Sequence, residues 1–369
     1  MTKMAVTGGD GFLGWHAYVV AQGRGIRLRQ IPVGEFFEPG QARAAVSSSS
    51  RLIHLAGVNR GSDEEVKDGN VRFAEQIAAA LKEADDPPGT VVYANSIQAD
   101  TANTYGQAKA RAAEVLAAAA DHVGAEFVDI RLPNLFGEHG RPFYNAVTAT
   151  FCHLLAQGGE PEVKDDKLLP LLHAQNAADL LLGFKPGSDL PALTESETVS
   201  GLLRRLARMA RVYQAGQIPD VSSSFERDLF NTYRSYTFET LIPIRLTRHA
   251  DARGVFFEVI RSHGGSGQTS FSTTAPGIVR GDHYHRRKIE RFTVLAGQAT
   301  ISLRRLLTDQ IHSFAVSGDQ PVAIDMPTGW THNIVNTGNT DLYTLFWTND
   351  LFDPADPDTI PEPVRREGD

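Results

Sequence analysis

The chain has 369 residues, 41% hydrophobic and 22% charged, which suits two domains or one large one and excludes bulk disorder. The formal net charge of −8 is spread along the chain with no basic stripe, so nucleic acid is not expected as a partner, although a small anionic ligand needs only a local site. Cys152 is the only cysteine and forms no internal disulfide. The start "MTKMAVTGG" has no apolar signal region and no apolar run approaches the ~18 residues of a membrane span, so a soluble cytoplasmic protein with no membrane partner is expected.

In chain order, the first half alternates short apolar runs with helical patterns, as parallel α/β domains do. "MAVTGG" reads as strand into turn and "GWHAYVVAQG" as the helix that follows. "RLIHLAG" and "TVVYANS" read as further strands. Between them "NVRFAEQIAAALKEA" places Phe73, Ile77, Ala80 and Leu81 on one helical face. "TYGQAKARAAEVLAAAADHVG" is long enough for a helix of several turns, and "EFVDIRLPNLFG" returns as a strand. "SSSS" at Ser47–Ser50 reads as a polar loop. After roughly residue 240 the character changes. "GVFFEVI", "RFTVLAG", "ATISLRRLL", "HSFAVSG", "VAIDMP", "HNIVNTG" and "LYTLFWTN" are short, β-branched or aromatic, and separated by turn residues, which marks a barrel or sandwich. A boundary is expected near "SYTFETLIPIRL", giving residues 1–240 as a dinucleotide-binding domain and 241–369 as a β domain.

Gly8, Gly11 and Gly14 form G-x-x-G-x-x-G between a strand and a helix. Glycine there permits a tight turn, close approach of a pyrophosphate and close packing of helix on sheet, with unpaired helix N–H groups facing the phosphates. Tyr105 and Lys109, four residues apart, share a helical face, and a neighbouring lysine favours the phenolate. A lone Y-x-x-x-K is most often a solvated helix face. Ser96, after a strand and shortly before Tyr105, changes that balance because its hydroxyl could bind the same substrate oxygen. Together these residues resemble the extended short-chain dehydrogenase/reductase superfamily, with "HLAG" (His54–Gly57) and "RLPNLFG" (Arg131–Gly137) fitting its later strand ends. The resemblance implies Tyr105 as acid/base, Lys109 orienting the nicotinamide ribose, Ser96 steadying the substrate oxygen, and Gly8, Gly11, Phe12, Leu13, Gly14, Leu55, Ala56, Gly57, Tyr105 and Lys109 against the cofactor. In "RLRQIPVGEFF" Glu35 points toward NAD and Arg29 toward NADP.

In "GDHYHRRKIERF" His283 and His285 alternate along a strand and so share a face; Glu290 follows, and Gly297 is read as closing a hairpin. "MPTGWTHNIVN" adds Pro327, Gly329, His332 and Asn336. The two stretches resemble the cupin motifs H-x-H-x₄-E-x₆-G and P-x-G-x₂-H-x₃-N, and the resemblance implies that His283, His285, Glu290 and His332 converge on a divalent metal inside a small β-barrel. Three imidazoles and a carboxylate suit Zn, Fe, Mn or Ni.

A reductase followed by a cupin resembles one family across nearly the whole chain, the bifunctional capsular-polysaccharide enzymes that make UDP-2-acetamido-2,6-dideoxy-L-talose. "LAGVNR", "SIQA", "YGQAK", "YNAVTATFC", "DLFNTYRSY", "HYHRRKIERF", "PTGWTHNIVN" and "LFDPADPDT" carry the likeness. It implies a Rossmann-like doubly wound parallel sheet followed by a cupin β-barrel. It also implies C3 epimerisation of a UDP-linked 4-keto-6-deoxy amino sugar in the cupin and C4 reduction by NADPH, with NADH as the alternative. Zinc and a homodimer complete the expectation. "LLHAQNAADLL" departs from the superfamily pattern by lacking an acidic pair. Two other readings stand beside this one: a single-activity epimerase or reductase with a structural cupin, and a nucleotide sensor without turnover.

Overall fold

In the computed structural model, which describes residues 2–366, the first strand β1 (Lys3–Thr7) buries Met4, Ala5, Val6 and Thr7. Side chains of successive strand residues point to opposite faces, so this strand is covered on both sides and must be central. With β2 (Arg27–Ile31), β3 (Arg51–His54), β4 (Thr90–Ser96) and β5 (Glu126–Leu132) it forms a sheet in the order β2-β1-β3-β4-β5, every pair parallel. The connections are α1 (Phe12–Gly23), α2 (Pro39–Ser47), α3 (Asp63–Lys82) and α4 (Thr104–Val123). The expected loop at Ser47–Ser50 therefore begins inside a helix, α2.

After β5 come β6 (Asn134–Phe136), α5 (Val147–Ala156), β7 (Leu168–His173), α6 (Ala174–Leu182), α7 (Leu190–Leu193) and β8 (Glu195–Thr198). One apolar layer joins Val20, Ile53, Val92 and Leu181 on the α1 and α6 side. The other joins Val46, Leu52, Ile77 and Leu116 on the side of α2, α3 and α4. The sheet is thus doubly wound, as the sequence indicates. "EFVDIRLPNLFG" is two strands rather than one: Pro133 separates β5 from β6, and β6 joins β7 and β8 in a separate sheet. A proline cannot donate to a ladder, and the break falls where it stands.

Strand order reverses between β1 and β3, and ligands of such sheets bind beyond the carboxyl ends of the strands at that point. Gly8 and Leu55 follow those two strands. α3 opens on a full capping box between Ser62 and Glu65, which satisfies two otherwise orphaned amides. α4 opens with Asn103 accepting from the Gly106 amide and ends at Gly124 in the left-handed region, so Tyr105 and Lys109 ride on a well-terminated helix.

The chain divides into two compact units, and the second comprises Gly137–Pro142, Val147–Lys167 and Thr198–Asp369. The helices α8 (Val199–Gln214) and α9 (Ser224–Leu241) therefore belong with the β-rich unit rather than before a boundary at residue 240. The reason is local. Asn231 of α9 donates to the Arg287 carbonyl at 2.8 Å, Arg234 donates to the Met326 carbonyl at 3.1 Å, and Phe238 packs on Trp330 with centroids 4.4 Å apart.

The strands of this unit are β9 (Ile244–Arg245), β10 (Arg248–Asp251), β11 (Gly254–Phe257), β12 (Gln268–Thr274), β13 (Val279–Tyr284), β14 (Glu290–Ala296), β15 (Gln298–Arg305), β16 (Ile311–Ser317), β17 (Val322–Met326), β18 (Trp330–Asn336), β19 (Leu342–Thr348) and β20 (Ile360–Pro361). Two five-stranded antiparallel sheets result, β12-β19-β14-β17-β9 and β16-β15-β18-β13-β20. β14 and β15 lie in different sheets, so Gly297 does not close a hairpin. It carries the chain from one sheet to the other at φ +90, where a Cβ would lie 3.2 Å from the Asp341 carbonyl oxygen. Among the described residues no helix is long and apolar enough to cross a membrane.

Between β14 and β17 the Arg291 guanidinium makes a bidentate pair with Asp325 at 2.6 and 2.9 Å, both side chains 1% exposed. Arg291 also donates to the Gly216 carbonyl at 2.6 Å, tying the turn after α8 to the sheet. Removing one partner leaves the other charge buried and unpaired. Asp325→Ala is accordingly expected to destabilise this unit by about 3–5 kcal/mol, read from chemical denaturation followed by tryptophan fluorescence. Arg43→Ala, which breaks an exposed pair with Asp85, is the comparison and should change little. A similarly small effect for Asp325→Ala would contradict the reading.

Candidate active site and metal centre

The glycine turn after β1 is shaped by backbone crowding. Gly8 has φ +70, and a Cβ there would lie 2.7 Å from the Ala56 amide nitrogen. At Gly14 a Cβ would lie 2.3 Å from the carbonyl oxygens of both Gly8 and Gly9. Gly11 is the N-cap of α1 and has no side chain to cap it, so the first-turn amides stay available to an anion. These features fit the pyrophosphate of a dinucleotide. Leu13 and Leu55 pack against the core beside this turn, and Phe12 stands edge-on to His16 at 5.0 Å. Gln30, at the end of β2, accepts from the Gly9 amide at 3.0 Å. Arg29 is engaged with Ser48, and Glu35 is exposed on a turn, so no carboxylate terminates β2.

Below the turn lies a network that motif reading alone misses. The Thr7 hydroxyl accepts from the amides of Leu55 at 3.1 Å and Ala56 at 3.2 Å, and contacts His54 Nδ1 at 2.8 Å. With two amides already donating to it, the hydroxyl must donate to His54, which puts the imidazole proton on Nε2. Burial, then the charge of Lys109, push His54 down to about 3, so it is neutral at physiological pH. The ring stacks on Tyr93 at 5.5 Å. Thr7 thereby fixes the "HLAG" backbone that borders Gly8.

Ser96, Tyr105 and Lys109 come together at the ends of β4 and the start of α4. Burial raises the Tyr105 phenol, and a hydrogen bond with Ser96 works against that rise. The phenol is therefore protonated at neutral pH, the state a proton donor needs. Lys109 is 4% exposed, donates to the Ala94 carbonyl at 2.8 Å and lies 4.1 Å from the centre of the Tyr93 ring. Burial pulls it down to about 7, and Asp129 opposes the fall. The spacing alone suggested a lysine acting directly on the tyrosine. The structure instead directs the ammonium at a carbonyl and an aromatic face. Asp129 accepts from Asn95 at 3.1 Å and Arg131 at 3.2 Å, an anchor for the carboxyl ends of β4 and β5.

In the second unit the register of β13 and β18 sets His283 opposite His332. A bulge shifts the register between Gly281 and His283, and the strand ends at Tyr284, so His285 lies just past it rather than within it. Gly281 has φ +103, and a Cβ there would lie 2.7 Å from the His332 carbonyl oxygen. The ligand atoms of His283, His285, Glu290 and His332 all lie within 4.8 Å of one another. Nε2 of His285 and Nε2 of His332 are each 3.1 Å from the same oxygen, Oε2 of Glu290.

Burial and the neighbouring imidazoles push His283 down to about 3, which keeps it in the neutral ligand form. Burial would raise Glu290, but the charge of His285 and the hydrogen bonds from His285 and His332 outweigh it and hold the carboxyl well below its usual range. Two imidazole nitrogens converging on one buried carboxylate oxygen, with a third imidazole alongside, match the donor set of a divalent transition ion. Gly329, whose amide donates to the His285 carbonyl at 2.8 Å, and Asn336, which donates to the carbonyls of Thr274 and Thr340, brace the loops. The remaining motif residues thus serve the backbone.

The fold and the two sites define a two-domain enzyme of nucleotide-sugar type. Residues 4–183 match the NAD dependent epimerase/dehydratase family, and residues 249–360 match the polysaccharide biosynthesis C-terminal domain. The chain is 32% identical to the UDP-2-acetamido-2,6-beta-L-arabino-hexul-4-ose reductase of Pseudomonas aeruginosa over 97% of each chain. It also superposes on the crystal structure of the capsular polysaccharide assembling protein CapF from Staphylococcus aureus with a TM-score of 0.62 and 31% identity, covering 98% of this chain and 100% of that one. A likeness in fold alone extends to a UDP-glucose 4-epimerase from Thermotoga maritima, TM-score 0.52 and 14% identity over 65% of this chain and 100% of that one. The chain belongs to the family of these capsular-polysaccharide nucleotide-sugar reductases.

Tyr105→Phe removes the phenolic proton while leaving the glycine turn and Lys109 in place. Ketone reduction should fall by at least ~10²–10⁴-fold, the usual contribution of a positioned general acid, with nicotinamide binding nearly unchanged. NADPH oxidation under saturating substrate and fluorescence titration of the cofactor check the two halves. Near-normal oxidation would remove Tyr105 from the role.

Proposed function

We propose that this chain is a bifunctional nucleotide-sugar enzyme. Its second unit epimerises C3 of a UDP-linked 4-keto-6-deoxy amino sugar, and its first unit reduces C4. The observation that carries the reading is the coexistence of two complete constellations: Ser96, Tyr105 and Lys109 in the first unit, and His283, His285, Glu290 and His332 in the second. A sensor needs no proton donor, and a purely structural β domain needs no converged donor set. The activity for which the Pseudomonas aeruginosa relative is named supports a 2-acetamido-4-ulose as substrate.

In the reductase site the nicotinamide, when bound, supplies the hydride to C4. Ser96 and Tyr105 address the same oxygen. Tyr105 delivers its proton as negative charge develops on that oxygen, and the buried Lys109 orients the ribose from the same helix face. NADPH is the proposed donor, because β2 ends without a carboxylate to claim the ribose 2′-OH and Arg29 lies two residues before that end. Glu35 stands apart on an exposed turn, so NADH is the weaker alternative.

In the second unit a zinc ion, when bound, supplies Lewis-acid stabilisation of developing negative charge. His283, His285, Glu290 and His332 would hold it. The 4-ketone acidifies the C3 hydrogen, so proton loss and return on opposite faces invert that centre without redox chemistry.

Enolisation requires no nicotinamide. In deuterated water the 4-keto substrate should gain deuterium at C3 in the absence of cofactor, read by mass spectrometry and proton NMR. The paired substitution of His283 and His332 with alanine should abolish zinc retention and slow the exchange, while reduction of substrate supplied already epimerised persists. No exchange with wild type would refute the epimerase assignment. Unchanged exchange after metal loss would make the ion structural.

A further inference from the structure

The C-terminal tail, residues 350–364, runs back along the strand and loop that carry His283 and His285, two of the four converging residues His283, His285, Glu290 and His332. β20 pairs with β13, setting Pro361 opposite His283 and Ile360 opposite Tyr284. Beyond the strand only Arg286, Arg287, Lys288 and Ile289 separate His285 from Glu290. All four of their backbone amides are taken by side chains from far along the chain. Asp358 Oδ1 accepts from Arg286 at 3.0 Å, and its Oδ2 accepts from Arg287 at 2.9 Å and Lys288 at 2.8 Å. Asn349 Oδ1 accepts from Ile289 at 2.7 Å.

Asp358 does more than cap the loop. Its own carbonyl oxygen lies 2.5 Å from His285 Nδ1. A carbonyl only accepts, so Nδ1 carries the proton and Nε2, on the far side of the ring, faces Glu290 at 3.1 Å. One residue thus sets both the ring and the chain that joins it to the next ligand. It is 6% exposed and sits in the left-handed region at φ +44, a conformation that Asp and Asn tolerate and most residues resist. Lys288 Nζ donates to the Pro357 carbonyl at 2.8 Å, holding the tail around it, whereas the pair of Arg287 with the exposed Asp356 at 2.9 Å adds little.

We infer that Asp358 is a positioning residue of the metal centre: it orients His285 so that Nε2 is presented to the ion, and it holds the Arg286–Ile289 loop so that His285 and Glu290 converge before the ion arrives. The inference rests on the metal-centre reading above and assigns the C-terminal tail a part in it. Partners behind metal-bound imidazoles commonly contribute ~10–100-fold in affinity.

The test uses the full chain and zinc itself. Affinity is measured by competition with a chromophoric chelator for wild type, Asp358→Ala, Asp358→Asn and Asp356→Asn. Asp358→Ala, which loses all three loop hydrogen bonds and the left-handed preference, should bind zinc ~10–100-fold more weakly. Asp358→Asn keeps that backbone conformation and one acceptor oxygen, so it should recover part of the loss. Asp356→Asn removes only a loop pair and should match wild type. Hydrogen exchange in the metal-free proteins should accelerate at residues 286–289 in Asp358→Ala, and the visible bands of the cobalt-substituted protein should shift as His285 turns. If Asp358→Ala does not fold, the weaker affinity of Asp358→Asn decides the matter. Wild-type affinity and wild-type loop exchange in a folded Asp358 variant overturn the inference alone. Failure of wild type to bind zinc overturns the metal-centre reading, and this inference with it.

Discussion

Glu290 is an ionised carboxylate buried to 6% exposure, and an anion at that depth must be answered by cations or by donors aimed at it. The arrangement of the second unit follows from this. Two imidazoles meet one of its oxygens at 3.1 Å, and a third comes from the strand opposite His332. The bulge at Gly281, the left-handed Gly329 and the returning C-terminal tail fix the backbone from which those rings project. None of these features strengthens a β-domain as such. Each costs regular pairing or conformational freedom, which is what a site held ready for a ligand requires.

The first unit meets the same constraint with different means. Lys109 is almost wholly buried, and a carbonyl, an aromatic face and Asp129 answer its charge without a direct ion pair. Burial brings its titration close to neutrality, and burial likewise keeps the Tyr105 phenol protonated. A protonated phenol beside an oxygen that gains negative charge is a competent donor, so the electrostatics agree with reduction rather than with static binding. Thr7 underpins the cofactor turn from within the core, its hydroxyl meeting the Leu55 and Ala56 amides and His54 Nδ1 at once.

Much of this was legible in the sequence because it is written in local patterns. The glycine spacing, the Tyr105–Lys109 helix face and the series of short β-branched and aromatic strands after residue 240 depend on residues close together in the chain, and they appear where those patterns put them. What was not legible depends on contacts between distant residues. Gly297 looks like a hairpin turn, yet the two strands it joins, β14 and β15, lie in different sheets. α8 and α9 have ordinary helical patterns, and nothing in their periodicity tells that Asn231 and Arg234 reach carbonyls of the β-rich unit. Asp358 stands in a short acidic, proline-rich tail that reads as a loop. Its carboxylate and carbonyl acquire their meaning only when the tail folds back on His285.

The central claim is that C3 and C4 of one sugar are handled by different chemistry, proton exchange at one carbon and hydride transfer at the other. The most direct measurement is a single turnover of the 4-keto substrate in deuterated water with unlabelled NADPH, followed by NMR of the isolated product. The account predicts deuterium at C3 and protium at C4, because the first carbon exchanges with solvent and the second receives its hydrogen from the cofactor. Product that carries protium at both carbons, or deuterium at C4, would contradict it.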